Sequence, residues 1–222
     1  IPFKFDKQEA SQRFKNAVKR KAFLPNAFKK KPEIDKIEAF YFPAFSFDEE
    51  TVTKYDGRLA SDQTHTSSNG QTYTTTTYKN ISGTKKLSHK NVFVETSSQL
   101  NQVDLDYILP YRTSEILAYD EKFVAGYSLE KLSSTLDECK KLADTIINQS
   151  IRQQILREYS YDRVVSFNMD TQRSQIKYAY GALPVYKLTT SYKDKNYNIL
   201  LNGQTGKVGA GLPKSKVKIA FL

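Results

Sequence analysis

From Ser128 onward, Leu129, Leu132, Leu136, Cys139, Ala143, Ile146, Ile147, Ile151 and Ile155 recur at intervals near three and four. That spacing predicts one amphipathic helix from Ser128 to about Arg157, roughly 43 Å long at 1.5 Å per residue, whose apolar stripe must be covered. A shorter helix is predicted near the start of the chain. Asp6 followed by Glu9 reads as a capped helix start, and Ala10, Phe14, Ala17 and Val18 then form the apolar face. Pro25 ends or redirects it.

Between and after these helices the period shortens to that of strands. The aromatic stretch Ala39–Phe47 is strand-like, and Pro43 within it predicts an edge position or a bulge. Thr51–Gly57 reads as its hairpin partner, turning near Asp56-Gly57. Residues 61–78 are rich in Thr and Ser, with Asn69-Gly70 as a turn signal, and predict a long loop leading into a strand over 71–80. A further strand is predicted at Asn91–Thr96, and short helical turns broken by Pro110 in the region that follows. Beyond the long helix the pattern predicts four strands, over 162–169, 174–181, 183–192 and 196–202, with a turn at Lys193–Asn196.

Helix then strands, followed by helix then strands, is the order of an internal repeat. The fold class expected is α+β, with antiparallel strands packed on helices. The corresponding division is a first unit over 1–127, a second over 128–213 and a basic tail over 214–222. Phe42–Phe47 and Leu183–Leu188 share an apolar–Pro pattern that fits such a repeat.

Charge changes this picture at the two ends. The net charge is +10 over 222 residues. Residues 1–36 hold 11 Lys and Arg against 4 Asp and Glu, residues 193–222 hold 6 against 1, and the stretch between holds 17 against 19. A basic end attracts phosphate, whether in nucleic acid or in lipid headgroups, and equally forms an ordinary solvated face. The candidate contact residues are Lys19, Arg20, Lys21, Lys29, Lys30 and Lys31 at one end, and Lys214, Lys216 and Lys218 at the other. Cys139 is the only cysteine, which excludes an intrachain disulfide and a cysteine-built zinc site within this chain. The first residue, Ile1, reads as the start of a piece of a longer or processed chain. No run of 18 or more apolar residues is present.

The stretch Asn202–Gly211 has the look of a phosphate-binding loop and fails the test of spacing. A Walker A loop needs four residues between its first glycine and the Gly-Lys pair; here Gln204 and Thr205 alone separate Gly203 from Gly206-Lys207. Val208 stands where Ser or Thr would hold magnesium, and Gly209, Gly211 and Pro213 forbid a following helix. The expected element is a turn, with Asn202, Gly203 and Gly206 supplying positive φ. His65 and His89 have no further ligands at metal-binding spacing. No nucleophile motif or distinctive carboxylate pair appears, so no catalytic, cofactor or metal residue is assigned in this chain.

Several stretches resemble a largely uncharacterised bacterial family that carries an N-terminal zinc ribbon and is often labelled primosomal protein N′-like, or helicase-like. They are Ile1–Lys30, Ile37–Asp48, Glu115–Leu132, Ala182–Leu188 and Leu201–Lys216, in family order. Where relatives usually show Trp, this chain has Phe45 and Tyr186. The resemblance implies a zinc-binding ribbon before Ile1 and a hydrophobic segment after Lys216, so that zinc would be bound outside this chain. The last third, closing on Tyr197–Val208, is also similar to PepSY-type modules, which bind or restrain partners. Together these imply a non-enzymatic binding or scaffold domain for an unidentified protein partner, anchored through a C-terminal segment at the cytoplasmic face of the membrane. The alternative is an accessory protein that binds nucleic acid weakly through its basic N-terminal segment.

Overall fold

Residues 1–20, 36–97, 100–118, 120–192 and 195–209 are described by the computed structural model of the chain. Helix α1 spans Lys7–Lys19. Asp6 caps it, its carboxylate accepting the Glu9 N–H at 2.8 Å, while the Glu9 side chain turns to the Arg13 guanidinium one turn on. The helix buries Ala10, Ser11, Phe14 and Val18. The expected stop at Pro25 lies outside the described residues.

Strands β1 (Ile37–Thr66) and β2 (Thr72–Glu95) form a long hairpin. Its connection is short: Ser67 N–H donates to the Gln71 carbonyl, Gly70 N–H donates to that of Ser67, and the Asn69 side chain accepts the Gln71 N–H. The expected long loop over 61–78 is therefore corrected. Asn69-Gly70 marks the turn, but the threonines on both sides are strand, as β-branched side chains favour. Thr51–Gly57 is likewise a continuation of β1 and not its hairpin partner.

Helix α2 (Gln102–Ile108), a 3-10 turn at Thr113–Glu115, α3 (Glu121–Val124) and β3 (Ser128–Leu129) follow. Then come α4 (Leu136–Leu156), β4 (Arg163–Tyr192), β5 (Lys195–Asn202) and β6 (Val208–Gly209). The helix predicted from Ser128 thus starts eight residues later. Its cap is Thr135, whose hydroxyl accepts the Glu138 N–H while the Glu138 carboxylate accepts the Thr135 N–H. Upstream, tertiary partners take the backbone groups a helix would need: Glu130 N–H donates to the Tyr41 carbonyl and Ser133 N–H to that of Thr96. Leu129 and Leu132, assigned to the buried stripe from the sequence, are 48% and 50% exposed. The three strands expected over 162–192 are one strand, β4.

The sheet runs β2-β1-β4-β5-β6, with β3 pairing parallel to β1 at Phe40 and Tyr41. Pro43 therefore lies in an interior strand, not at an edge. It falls where β1 changes neighbour: β3 pairs just before it, and Thr96, next after β2, donates its hydroxyl to the Pro43 carbonyl. Strands β4 and β5 are antiparallel from Val185↔Asn202 to Tyr192↔Lys195, so the turn expected at Lys193–Asn196 spans 193–194, outside the described residues. The fold is α+β.

Contacts divide the chain into two units. One comprises Ile1–Ser46, Phe93–Cys139 and Ala179–Leu222, the other Phe47–Val92 and Lys140–Tyr178. This differs from a partition in chain order at 127/128, because β1, β2 and β4 each contribute residues to both units; residues 210–222 lie outside the described ones. In the first unit α1 covers Ile37, Tyr186, Leu188, Ile199 and Leu201, and α2 packs Leu105 and Ile108 on Phe40, Phe42, Phe93 and Val185. In the second, Ile147, Ile151 and Ile155 of α4 pack on Tyr55, Leu87, Phe167 and Met169.

Candidate functional site

The turn that mimics a phosphate loop is a clasp for α2 and the chain after it. Asn202, the last residue of β5, is fully buried. Its side-chain oxygen accepts the N–H groups of Gln204 and Thr205, both at 2.9 Å. Its amide nitrogen donates to the carbonyls of Ile108 and Pro110. Gln204 accepts the Arg112 N–H at 2.7 Å and donates to the Arg112 carbonyl and the Glu115 carboxylate. Lys207 donates to the Leu109 carbonyl. The donors a phosphate would need are thus already used within the chain. Among Asn202, Gly203 and Gly206, Gly206 alone has positive φ, +75°. Gly203 is needed for a different reason, since a Cβ there would lie 2.6 Å from the Phe3 ring.

This clasp sets the path of residues 113–129, which carry one wall of an apolar cavity of about 260 Å³ in the first unit. Gln204 and Lys4 both hold Glu115, and Asp120 caps α3 by accepting the Lys122 N–H. Ile116 and Leu117 between these anchors, and Phe123, Val124 and Leu129 beyond them, line the cavity. Ala44, Phe93 and Leu183 line it from the sheet, with Ile1 and Pro2 alongside. Leu117 is 52% exposed and Tyr180 56%, so the cavity opens through an apolar rim. Asp120 is the only charged side chain among the lining residues. Burial pushes the Tyr41 and Tyr180 hydroxyls above the usual phenol range, which keeps both neutral. Among the described residues the lining has Ser46 but no base beside it, and nothing in it pairs an acid with a nucleophile. Its chemistry is apolar burial.

The second unit holds a buried ion network that the sequence reading did not find. Glu49 is fully buried; its carboxylate accepts from Lys140 at 2.9 Å and from Arg173. Arg173 also lies 3.3 Å from the Asp144 carboxylate and donates to the Asn148 side chain at 2.6 Å. Two acids meet two bases, so the cluster is neutral and internally satisfied. Lys140, Asp144 and Asn148 recur every four residues on α4, the only trace of the network in the sequence. His89 sits beside it, 3.0 Å from the Thr51 hydroxyl. Burial holds its pKa below the usual imidazole value; Glu49 and Glu50 oppose that shift and Arg173 adds to it.

Of the basic candidates, Lys19 and Arg20 are exposed at the end of α1. Lys21, Lys29, Lys30, Lys31, Lys214, Lys216 and Lys218 lie outside the described residues. Cys139 is buried, and desolvation raises its thiol pKa ahead of the Glu138 and Glu95 charges. Among the described residues no three His, Cys, Asp or Glu side chains gather into a metal site, and no helix is long and apolar enough to cross a membrane.

The chain is similar to the uncharacterized protein YdjG of Bacillus subtilis (strain 168), at 27% identity over 226 residues. The match covers 99% of this chain and 64% of the relative, so the chain spans a little under two thirds of that protein's length. No protein-family profile matches the chain. No solved structure matches it.

Proposed function

We propose that this chain is a non-enzymatic binding domain that holds an apolar segment of a partner polypeptide in the cavity beside residues 113–129. The observation that carries this reading is the cavity itself, apolar in its walls and in its rim. Its volume of about 260 Å³ lies just below the roughly 300–1,000 Å³ of ordinary small-molecule sites and suits one or two apolar side chains. Asp120, the one charged side chain in the lining, is an acid, which disfavours the carboxylate of a fatty acid there. The longer bacterial relative supports reading the chain as part of a larger protein. In the same proposal that protein carries a zinc ribbon ahead of this domain and a membrane anchor behind it, at the cytoplasmic face.

The cavity is tested by titrating the ¹⁵N-labelled chain with a short capped peptide of Leu and Phe. Amide shifts are expected at Leu117, Val124, Leu129 and Ala182, and are expected to be lost in Ala182→Trp, which fills the cavity. Titration to millimolar peptide without shifts at those residues rejects the reading.

A further inference from the structure

An open groove in the second unit, where α4 ends, gathers cations and tyrosine rings in a way unrelated to the apolar cavity. Arg152, Arg157, Tyr159 and Tyr161 line it together with Gln149 and Gln153. The Arg152 guanidinium carbon lies 4.9 Å from the centre of the Phe167 ring, a cation–π contact that holds the group at the groove and leaves N–H donors for a ligand. Lys79 of β2 approaches one of the groove's rings, its ammonium 5.4 Å from the centre of Tyr159. Tyr159 is itself held, its hydroxyl 2.9 Å from that of Tyr55.

The acids nearby are engaged elsewhere. Glu158 is paired with Lys85, and Asp162 accepts the Asp62 N–H at 2.7 Å. Among the described residues, neither Arg152, Arg157 nor Lys79 forms a salt bridge with a carboxylate. Basic residues just past a helix C-terminus ordinarily balance the helix dipole. That accounts for Arg157, but not for Arg152 held against a strand aromatic or for Lys79 approaching from β2.

The geometry points to a binding site for single-stranded nucleic acid, in which Lys79, Arg152 and Arg157 contact phosphates and Tyr161 offers a ring for base stacking. Fixed cations interleaved with partly exposed rings are what an unpaired strand uses, since its phosphates and base faces are both available. A duplex hides the base faces, and an acidic peptide gains nothing from the rings.

Fluorescence anisotropy of a labelled 12-nucleotide deoxythymidine strand, with the full chain over a salt series, tests this. Three phosphate contacts on a single strand predict a slope of log K against log salt of about −2. The variants are Lys79→Gln/Arg157→Gln, both at exposed positions, and Tyr161→Ala, each checked for an unchanged melting temperature. The expected results are at least tenfold weaker binding with a slope shallower by about 1.4 for the double variant, and severalfold weaker binding at unchanged slope for Tyr161→Ala. The proposal is overturned if neither variant changes affinity, if only Lys19→Gln/Arg20→Gln does, or if no binding is seen at low salt. It is also overturned if a duplex or polyglutamate binds as tightly as the single strand.

Discussion

Glu49 carries more of the second unit than its place in the sequence announces. A fully buried carboxylate that meets both Lys140 and Arg173 is tolerable only while all its partners remain. Replacing it by an apolar group removes one charge of four and leaves Lys140 and Arg173 to share Asp144 as their remaining acid. Glu49→Leu should therefore cost about 3–5 kcal/mol, the range for breaking a buried pair from one side. The urea unfolding midpoint measures this, with Glu50→Leu, at a part-exposed neighbour, as the comparison. Equal midpoints for the two variants would show that the network contributes nothing. The residue scale is also where the phosphate-loop resemblance dissolves. Asn202, Gln204 and Lys207 each spend their polar atoms on α2 or the chain just after it. Spacing alone excluded a Walker A loop, but the clasp they form could be seen only with α2 in place.

Helix α4 shows how far periodicity reaches. From Cys139 onward the stripe is as the spacing predicts, and Ile147, Ile151 and Ile155 are buried to 1% exposure or less. Ahead of Leu136 the same spacing persists while the backbone is committed elsewhere, to Tyr41 and Thr96. The two halves of the stripe should accordingly respond differently. Ile147→Asp places an unpaired carboxylate among Tyr55, Leu87 and Met169 and should cost several kcal/mol, whereas Leu132→Asp should stay within about 0.5 kcal/mol. Thermal melts of the two variants check the contrast; comparable losses would mean that the helix extends to Leu132. The Thr135–Glu138 box was available in the sequence as Thr-x-x-Glu and locates the true start. Proline misled in the other direction. Because it cannot donate to a ladder, Pro43 predicts an edge position or a bulge, and β1 accommodates it within an interior strand by exchanging β2 for β3 at that point.

At the scale of the whole molecule, the proposed anchoring concerns the longer protein of which this chain is read as a part. Lysines ahead of a hydrophobic segment tend to remain cytoplasmic, each gaining about 1 kcal/mol near an anionic leaflet. The full-length product is accordingly expected in the membrane fraction, with this domain accessible to protease in inside-out vesicles. Recovery of the full-length product in the soluble fraction counts against the anchor while leaving the apolar cavity to its own test.

Local rules were enough for some features: the cap of α1, the Asn69-Gly70 turn, the mixed α+β class and the failure of residues 203–207 to match a Walker A loop. Each rests on residues within a few positions of one another, where hydrogen-bond geometry and side-chain period act directly. What only the tertiary structure decided depends on residues far apart in the chain. Three predicted strands became the single β4, and two became the continuous β1, because a period of two carries no signal for where a strand stops when its neighbours keep pairing. The Glu49–Arg173 pair joins residues 124 positions apart, and the cavity wall at 113–129 is held by the turn that begins at Asn202. Such contacts arise from the order of strands in the sheet, which no local pattern of apolar and polar residues encodes.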